Sequence, residues 1–279
     1  MPDASLSAFM KDLPVIPENL ITDVPQMLAT LQSRGYLKTI TFQDVLKELN
    51  ARPLSTEEMI ACLKWWVKIR TEYHDGRQPL AQIQRTLVNA AVLSTGDSDK
   101  NGGLLQLSSI QTYVTSKSII AVDGPLPAHV LPLSIAREFD SRVLETVFNW
   151  SHISMVGWLT FICSISANSD PEHDLTVNAQ WAERVIGVLA RGWPSLPGPD
   201  KEKVVALLKD KSCIPTSSGM KTPDQAYFAS VNIFKDLPTV ILPSGNTVRG
   251  AMERVLEAIG VRKHVELQVL FNRSVVIRC

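Results

Sequence analysis

Neither sign of charge is in excess in this chain: 28 Lys and Arg stand against 28 Asp and Glu in 279 residues. A dedicated nucleic-acid or anionic-membrane binder concentrates Lys and Arg, so the balance counts against both. Cysteine is scarce as well. Cys62, Cys163, Cys213 and Cys279 share no close spacing, which leaves neither a disulfide framework nor a Cys-x-x-Cys metal motif. Cys62 and Cys163 fall inside apolar helical patterns, the usual setting of a reduced, buried thiol. Met1-Pro2-Asp3-Ala4 is not a basic stretch leading into an apolar one, so no secretory signal is read there. The Asn149-Trp150-Ser151 and Asn272-Arg273-Ser274 matches to the glycosylation pattern carry no weight without secretion. The compartment expected is intracellular, cytoplasmic or nuclear.

Long hydrophobic runs are missing too. Residues 146–169 hold no formal charge, but Thr146, Asn149, Ser151, His152, Ser154, Thr160, Ser164, Ser166, Asn168 and Ser169 interrupt them. The unbroken apolar stretch is far below the ~18–20 residues of a spanning helix, so a buried core helix is expected and no membrane. Catalytic signatures are equally absent. Of His74, His129, His152, His173 and His264, none sits in a His-Glu-x-x-His pattern. Glu172-His173-Asp174 reads as the solvated first turn of a helix rather than a metal site. Gly102-Gly103 and Ser217-Ser218-Gly219 lack the lysine and spacing of a phosphate cradle. No serine or cysteine has an identifiable base. The expectation is no catalytic residue, no cofactor, no metal and no small-molecule substrate.

What the chain does contain is repetition. Arg142-Val143-Leu144-Glu145 recurs as Arg254-Val255-Leu256-Glu257, a spacing of 112 that also places His152 on His264. A weaker register of 96 sets Ser55, Met59, Ile60, Leu63 and Ile69 on Ser151, Met155, Val156, Leu159 and Ile165. Repetition on this scale signals stacked or tandem supersecondary modules.

Local signals fill in those modules. Pro25 and Gly35 bracket a helix over 25–34, and Thr41 caps one through Leu49. Ser55 and Glu58 form a capping box for a helix to Thr71, apolar on most sides and carrying Trp65-Trp66. A helix over 79–90 leads to extended segments at 91–94 and 104–107 around a polar, glycine-rich turn. Helices followed by strand–turn–strand resemble a winged helix. Downstream, Ser151 is read as the cap of a helix over 153–165, and Asp170-Pro171 as the start of the next. Gly198-Pro199-Asp200 reads as a linker before a helix over 202–209. Residues 213–216 and 226–228 read as a second strand pair. A helix over 248–258 ends at Gly260, and another starts at His264.

The fold expected is therefore mainly α with small β-hairpins, as tandem winged-helix-like modules. An amino-terminal arm covers 1–22, the first module 23–122 and the second 123–235. Residues 236–279 read as the start of a third, apparently truncated, module. A winged helix invites a DNA hypothesis, because its recognition helix can enter the major groove. Lys64, Lys68 and Arg70 suit that role, but Glu57 and Glu58 offset them and residues 152–165 hold no cation. Residues 1–100 carry 11 basic and 12 acidic side chains, 101–200 carry 5 and 9, and 201–279 carry 12 and 7. A basic carboxy-terminal third so slight predicts only weak, salt-sensitive nucleic-acid binding. A protein partner is the first expectation.

Three segments resemble a known family: Leu126-Pro127-Ala128-His129-Val130-Leu131-Pro132-Leu133-Ser134, Lys211-Ser212-Cys213-Ile214-Pro215-Thr216-Ser217-Ser218-Gly219, and Leu256-Glu257-Ala258-Ile259-Gly260-Val261-Arg262-Lys263-His264-Val265-Glu266-Leu267-Gln268. They are similar to very large fungal proteins of unknown function that carry a histidine-kinase/Hsp90-like ATPase domain near the amino terminus and are distantly similar to sacsin. The resemblance spans about 20–271. It implies a chaperone-like context, with this chain matching the helical region downstream of the ATPase. The Asn-bearing helix and Asp-x-Gly-x-Gly loop of that nucleotide site have no counterpart here, so no functional residue carries over. The resulting expectation is a non-catalytic interaction or scaffold segment.

Overall fold

A computed structural model describes residues 8–10, 24–36, 40–70, 80–94, 103–120, 122–231, 233–267 and 271. His74, the turn around Gly102 and Cys279 lie outside them. Contacts along the chain divide it into two units. The first comprises residues 1–115 and 128–152, the second 116–127 and 153–279.

In the first unit, Pro25 opens α1 (Pro25–Ser33), and Gly35 follows it at φ +76, where a side chain would be strained. Thr41 caps α2 (Phe42–Ala51) and Ser55 caps α3 (Thr56–Ile69); each forms a capping box, with Asp44 and Glu58 answering back to the cap amide. Next come α4 (Leu80–Ala90) and an antiparallel pair, β1 (Val92–Ser94) with β2 (Leu104–Gln106). A 3-10 turn, Leu107–Ser109, leads to β3 (Thr112–Tyr113). β3 lies between two parallel neighbours, β4 (Val130–Leu131) and β5 (Ser151–His152). The connection from β4 to β5 carries α5 (Leu133–Ala136) and α6 (Ser141–Thr146).

The core of this unit gathers Val45, Leu49, Leu54, Met59, Leu63, Trp66, Leu87 and Leu93, with Phe9 and Met10 from the amino-terminal segment also buried. Burial of such side chains contributes about 1.5–3 kcal/mol each. One ionic group reaches into it. Arg52 bridges Glu48 at 3.0 Å and Glu58 at 2.7 Å, and donates to the Phe9 carbonyl at 2.8 Å.

The second unit opens with α7 (Met155–Ser164), then α8 (Ala179–Gly192) and α9 (Gly198–Leu208). An antiparallel pair follows, β6 (Ile214–Thr216) with β7 (Gly219–Lys221), and a 3-10 turn, Pro223–Gln225. Tyr227 then makes parallel bridges to Thr239 and to Arg262. Between those two bridges the chain forms α10 (Gly250–Ile259), which Gly260 ends at φ +115.

The two units repeat one arrangement. Leaving aside α1 and the short α5 of the first unit, three helices, an antiparallel pair, a 3-10 turn, a central tyrosine flanked by parallel partners and a closing helix occur in the same order in each unit. α2 and α7 have ten residues each and hydroxyl caps at Thr41 and Ser154; Val45, Leu46 and Leu49 fall on the buried Trp158, Leu159 and Ile162. α3 and α8 have fourteen each, capped by Ser55 and Asn178. All six buried residues of α3 (Glu58, Met59, Cys62, Leu63, Trp65, Trp66) fall on buried residues of α8 (Trp181, Ala182, Val185, Ile186, Val188, Leu189). The Arg-Val-Leu-Glu repeat marks the closing helices α6 and α10, with Leu144 and Leu256 both fully buried.

The chain is therefore mainly α with small hairpins, and several local expectations shift. The helix equivalent to α3 is α8, not α7; any two apolar helices align in some register, which explains the 96-residue match. Ser151 is not a cap, because its amide donates to the Gln111 carbonyl in β5, and Ser154 caps α7 through the Gly157 amide. Asp170-Pro171 begins turns instead of a helix, and α8 starts at Ala179 under the Asn178 cap. Gly198-Pro199-Asp200 is the first turn of α9, not a linker, since proline fits where the leading amides have no partner anyway. Residues 226–228 pair in parallel with Thr239 and Arg262, and the hairpin partner of β6 is β7. Residues 236–279 belong to the second unit, whose closing helix they supply, and 128–152 belong to the first. Among the described residues no helix is long and apolar enough to cross a membrane.

Candidate interaction surface

The second unit presents a groove of about 520 Å³ beside the start of α8, lined by Pro171, Glu172, Val177, Asn178, Ala179, Gln180 and Pro243. Its walls come from segments distant in sequence, and specific polar contacts hold each one. Asn178 works twice: its carbonyl oxygen accepts from the Trp181 amide at 3.0 Å, and its amide nitrogen donates to the Glu172 carbonyl at 2.8 Å. That ties the loop carrying Pro171 and Glu172 to the head of α8. Across the groove, Ser244 donates its amide at 2.9 Å and its hydroxyl to the Glu183 carboxylate on α8, which seats the neighbouring Pro243.

Beneath the loop, Asp174 is buried and accepts from the Thr176 amide and hydroxyl, both at 2.7 Å. Asp170 meets His173 at 2.7 Å, and the His173 ring stands edge-on to Trp181 at 4.8 Å. Arg184 lies 5.6 Å from the centre of the same indole and hydrogen-bonds Asp123. That bond, with the cation's field, holds the Asp123 carboxyl below the usual range. A Cβ on Gly124 would stand 2.5 Å from Trp181 Cη2. Asp123 and Gly124 thus clamp an indole already held by His173 and Arg184. Gly124→Val should destabilise the second unit by about 1–3 kcal/mol. Gly198→Ala, whose added Cβ meets nothing within 4 Å, is the neutral control; equal urea midpoints for the two variants would refute the clamp.

The groove lining is mostly uncharged, with Pro171, Val177, Ala179 and Pro243 apolar and Glu172 its single carboxylate. Val177 is 56% exposed, and Glu172 is exposed with no ion pair among the described residues. By sequence alone Glu172-His173-Asp174 has the pattern of a solvated helical turn. The structure gives its members separate tasks: Glu172 on the rim, His173 against Trp181, and Asp174 inside the loop. Among the described residues, no group of three or more His, Cys, Asp and Glu side chains is arranged to hold a metal ion.

The other residues weighed from sequence are dispersed. Trp65 and Trp66 are core, 5% and 0% exposed, and Trp66 Nε1 donates to Gln84. Lys64 pairs with Glu138 at 2.9 Å, Lys68 is exposed, and Arg70 ends α3. His129 and His264 are exposed, while His152 meets Tyr113 edge-on at 5.5 Å. Ser217-Ser218-Gly219 is the turn of the β6–β7 hairpin.

Cys62, Cys163 and Cys213 are held as thiols. Burial pushes Cys62 and Cys213 up to about 12 and raises Cys163 as well, with Lys211 opposing the shift of both Cys163 and Cys213. A thiol raised in the folded state adds stability below its ordinary value near 9, and that stability is lost as pH climbs toward 12. Only the thiolate reacts. Native protein at pH 8 should therefore leave Cys62 and Cys213 unmodified by iodoacetamide, and denaturant should expose both. Rapid native labelling of either, read by peptide mapping, would contradict the burial.

Fold and surface together define a class: a protein built from a duplicated helix-and-hairpin module, with a solvent-open groove on its second copy. The chain belongs to the family described as "Protein of unknown function (DUF3684)", whose model matches residues 1–276. No curated protein and no solved structure matches it.

Proposed function

We propose that this chain is a non-catalytic protein-interaction segment of a larger, chaperone-like protein, of the ATPase-bearing kind its sequence resembles. The observation that carries the reading is the groove at the head of α8. It sets an exposed aliphatic floor within a rim fixed by Asn178 and Ser244, which is how a site meets another chain without performing chemistry. The duplication supports it, since repeated modules commonly serve as binding arrays. Both deeply buried thiols are held protonated, which suits a scaffold and not a nucleophile.

A second reading, nucleic-acid binding through winged-helix-like modules, has one feature in its favour. The outward face of α4, just before the β1–β2 pair, carries Gln82, Arg85, Thr86 and Asn89, all exposed. Side chains of this kind read base edges and phosphates. Affinity capture separates the readings. The full chain as bait, in nuclease-treated lysate, should retain protein in stoichiometric amounts. Retention that disappears with nuclease, together with duplex binding that persists at physiological salt, would put the second reading first.

A further inference from the structure

We propose that the groove at the head of α8 binds an extended peptide segment in which Lys or Arg alternates with bulky aliphatic residues. The inference rests on the protein-interaction reading and names the chemistry of its partner. Three properties of the groove select that occupant.

The first is charge. No Lys or Arg occurs between Arg142 and Arg184, whereas Asp170, Glu172, Asp174 and Glu183 all fall in that stretch. Three of these carboxylates are already engaged: Asp170 by His173, Asp174 by Thr176, and Glu183 by Ser244. Glu172 lines the groove, is exposed, and takes no ion pair among the described residues. It is placed to accept a cation arriving with the partner, and the carboxylates around it repel an anion.

The second is shape. Pro171, Val177 and Pro243 give an aliphatic surface without aromatic rings. Outside the lining, two residues before Pro243, Ile241 is a further exposed branched side chain, 55% exposed. Such a surface accepts branched aliphatic side chains spaced along an extended chain.

The third is the backbone. The leading amides of a helix have no acceptor within the helix. Asn178 takes that of Trp181. The amides of Ala179 and Gln180, both lining the groove, are left to an incoming carbonyl. An extended segment supplies all three at once: carbonyls to the α8 amides, aliphatic side chains to Val177 and the prolines, and a cation to Glu172. A phosphate or acidic peptide would satisfy the amides alone.

The test uses the full chain and three fluorescein-labelled peptides, measured by anisotropy. One is built of Lys-Leu-Pro repeats, which stay extended, one has Glu in place of Lys, and one has Ser in place of Leu. The Lys-Leu-Pro peptide should bind with a Kd of roughly 10–100 μM, as befits a small open site. Glu172→Lys should weaken it about tenfold and make it less salt-sensitive. Val177→Ser should also weaken it but leave the salt dependence intact, and Glu202→Lys on the exposed side of α9 should change nothing. The three positions are on the surface, and circular dichroism of each variant checks the fold.

Tighter binding of the Glu peptide would overturn the inference in favour of an anion site. Equal binding of the Ser peptide would overturn the role of the aliphatic floor. Lys-Leu-Pro binding that ignores Glu172→Lys and Val177→Ser would overturn the groove as the site, while leaving a protein-binding role elsewhere intact. If no peptide binds, the inference fails, and affinity capture decides separately whether the chain is an interaction segment at all.

Discussion

Trp66→Ala is expected to destabilise the first unit by about 3–5 kcal/mol, the range for truncating a fully buried large aromatic residue. Trp66 has no exposure. It packs against Phe42 at 5.9 Å and Trp65 at 6.5 Å between ring centres, so its removal leaves a cavity bounded by other side chains. The indole does more than fill space. Its Nε1 donates to Gln84 Oε1, and the Gln84 amide donates in turn to the Val147 carbonyl just after α6. Truncation thus removes apolar contact and frees the polar link joining α3, α4 and the α6 end. Hydrogen exchange read by mass spectrometry should show lost protection across α2, α3 and α4. Trp66→Phe should recover most of the packing but not the link, which places it between the wild type and Trp66→Ala. Protection of α4 unchanged in Trp66→Ala would mean that Gln84 and its neighbours are held by other means.

The equivalent position in the second unit is Leu189 on α8, also fully buried. Trp65 likewise gives way to Val188 and Met59 to Ala182, while at the start of the helix the exchange runs the other way. Glu58, whose carboxylate binds Arg52, is matched by Trp181. Cores tolerate such exchange provided the pattern of burial and the total volume are kept. This is why the duplication is hard to see in the sequence: burial pattern is retained while residue identity is not.

Legibility from sequence follows the range of the interaction concerned. Ser55 with Glu58 was readable because both halves of a capping box lie within one turn. The start of α8 was not. Asp170-Pro171 has the composition of a helix start, and Asn178 wins because its side chain secures both the Trp181 amide and the Glu172 carbonyl. Ser151 and Ser154 are chemically equal candidates for a cap. What separates them is the Ser151 amide bond to Gln111, forty residues earlier, which composition does not record. The Arg-Val-Leu-Glu repeat was legible as a repeat. Its place at the close of each unit was not, because the parallel partners of Tyr113 and Tyr227 come from both sides of it in the chain. The groove depends on Ser244 meeting Glu183 across 61 residues, so among its residues only Pro171 and Glu172 carry a local sequence signal, and in each case a signal for something else.

Arg52→Ala is the second large effect, expected at about 3 kcal/mol, the lower end of the range for stripping the partner from buried ions. The Glu48 and Glu58 side chains are 8% and 6% exposed, whereas Arg52 is 29% exposed. Solvent around the guanidinium keeps the cost from the upper end, and the two carboxylates set its floor. The variant also leaves the Phe9 carbonyl without its 2.8 Å donor. That should loosen the amino-terminal segment, with Phe9 otherwise held by its ring contact to Trp65 at 6.0 Å. Arg52→Lys should fall between, since an ammonium cannot reproduce the fork that reaches Glu48, Glu58 and Phe9 together. The decisive comparison is a triple variant, Arg52→Met with Glu48→Leu and Glu58→Gln. Gln at position 58 keeps the capping box with Ser55, and no buried charge remains. If the cost of Arg52→Ala is that of stranded carboxylates, the triple variant should regain most of the lost stability in urea unfolding. A triple variant as unstable as Arg52→Ala would instead assign the loss to the Phe9 carbonyl and the packing of the arginine stem.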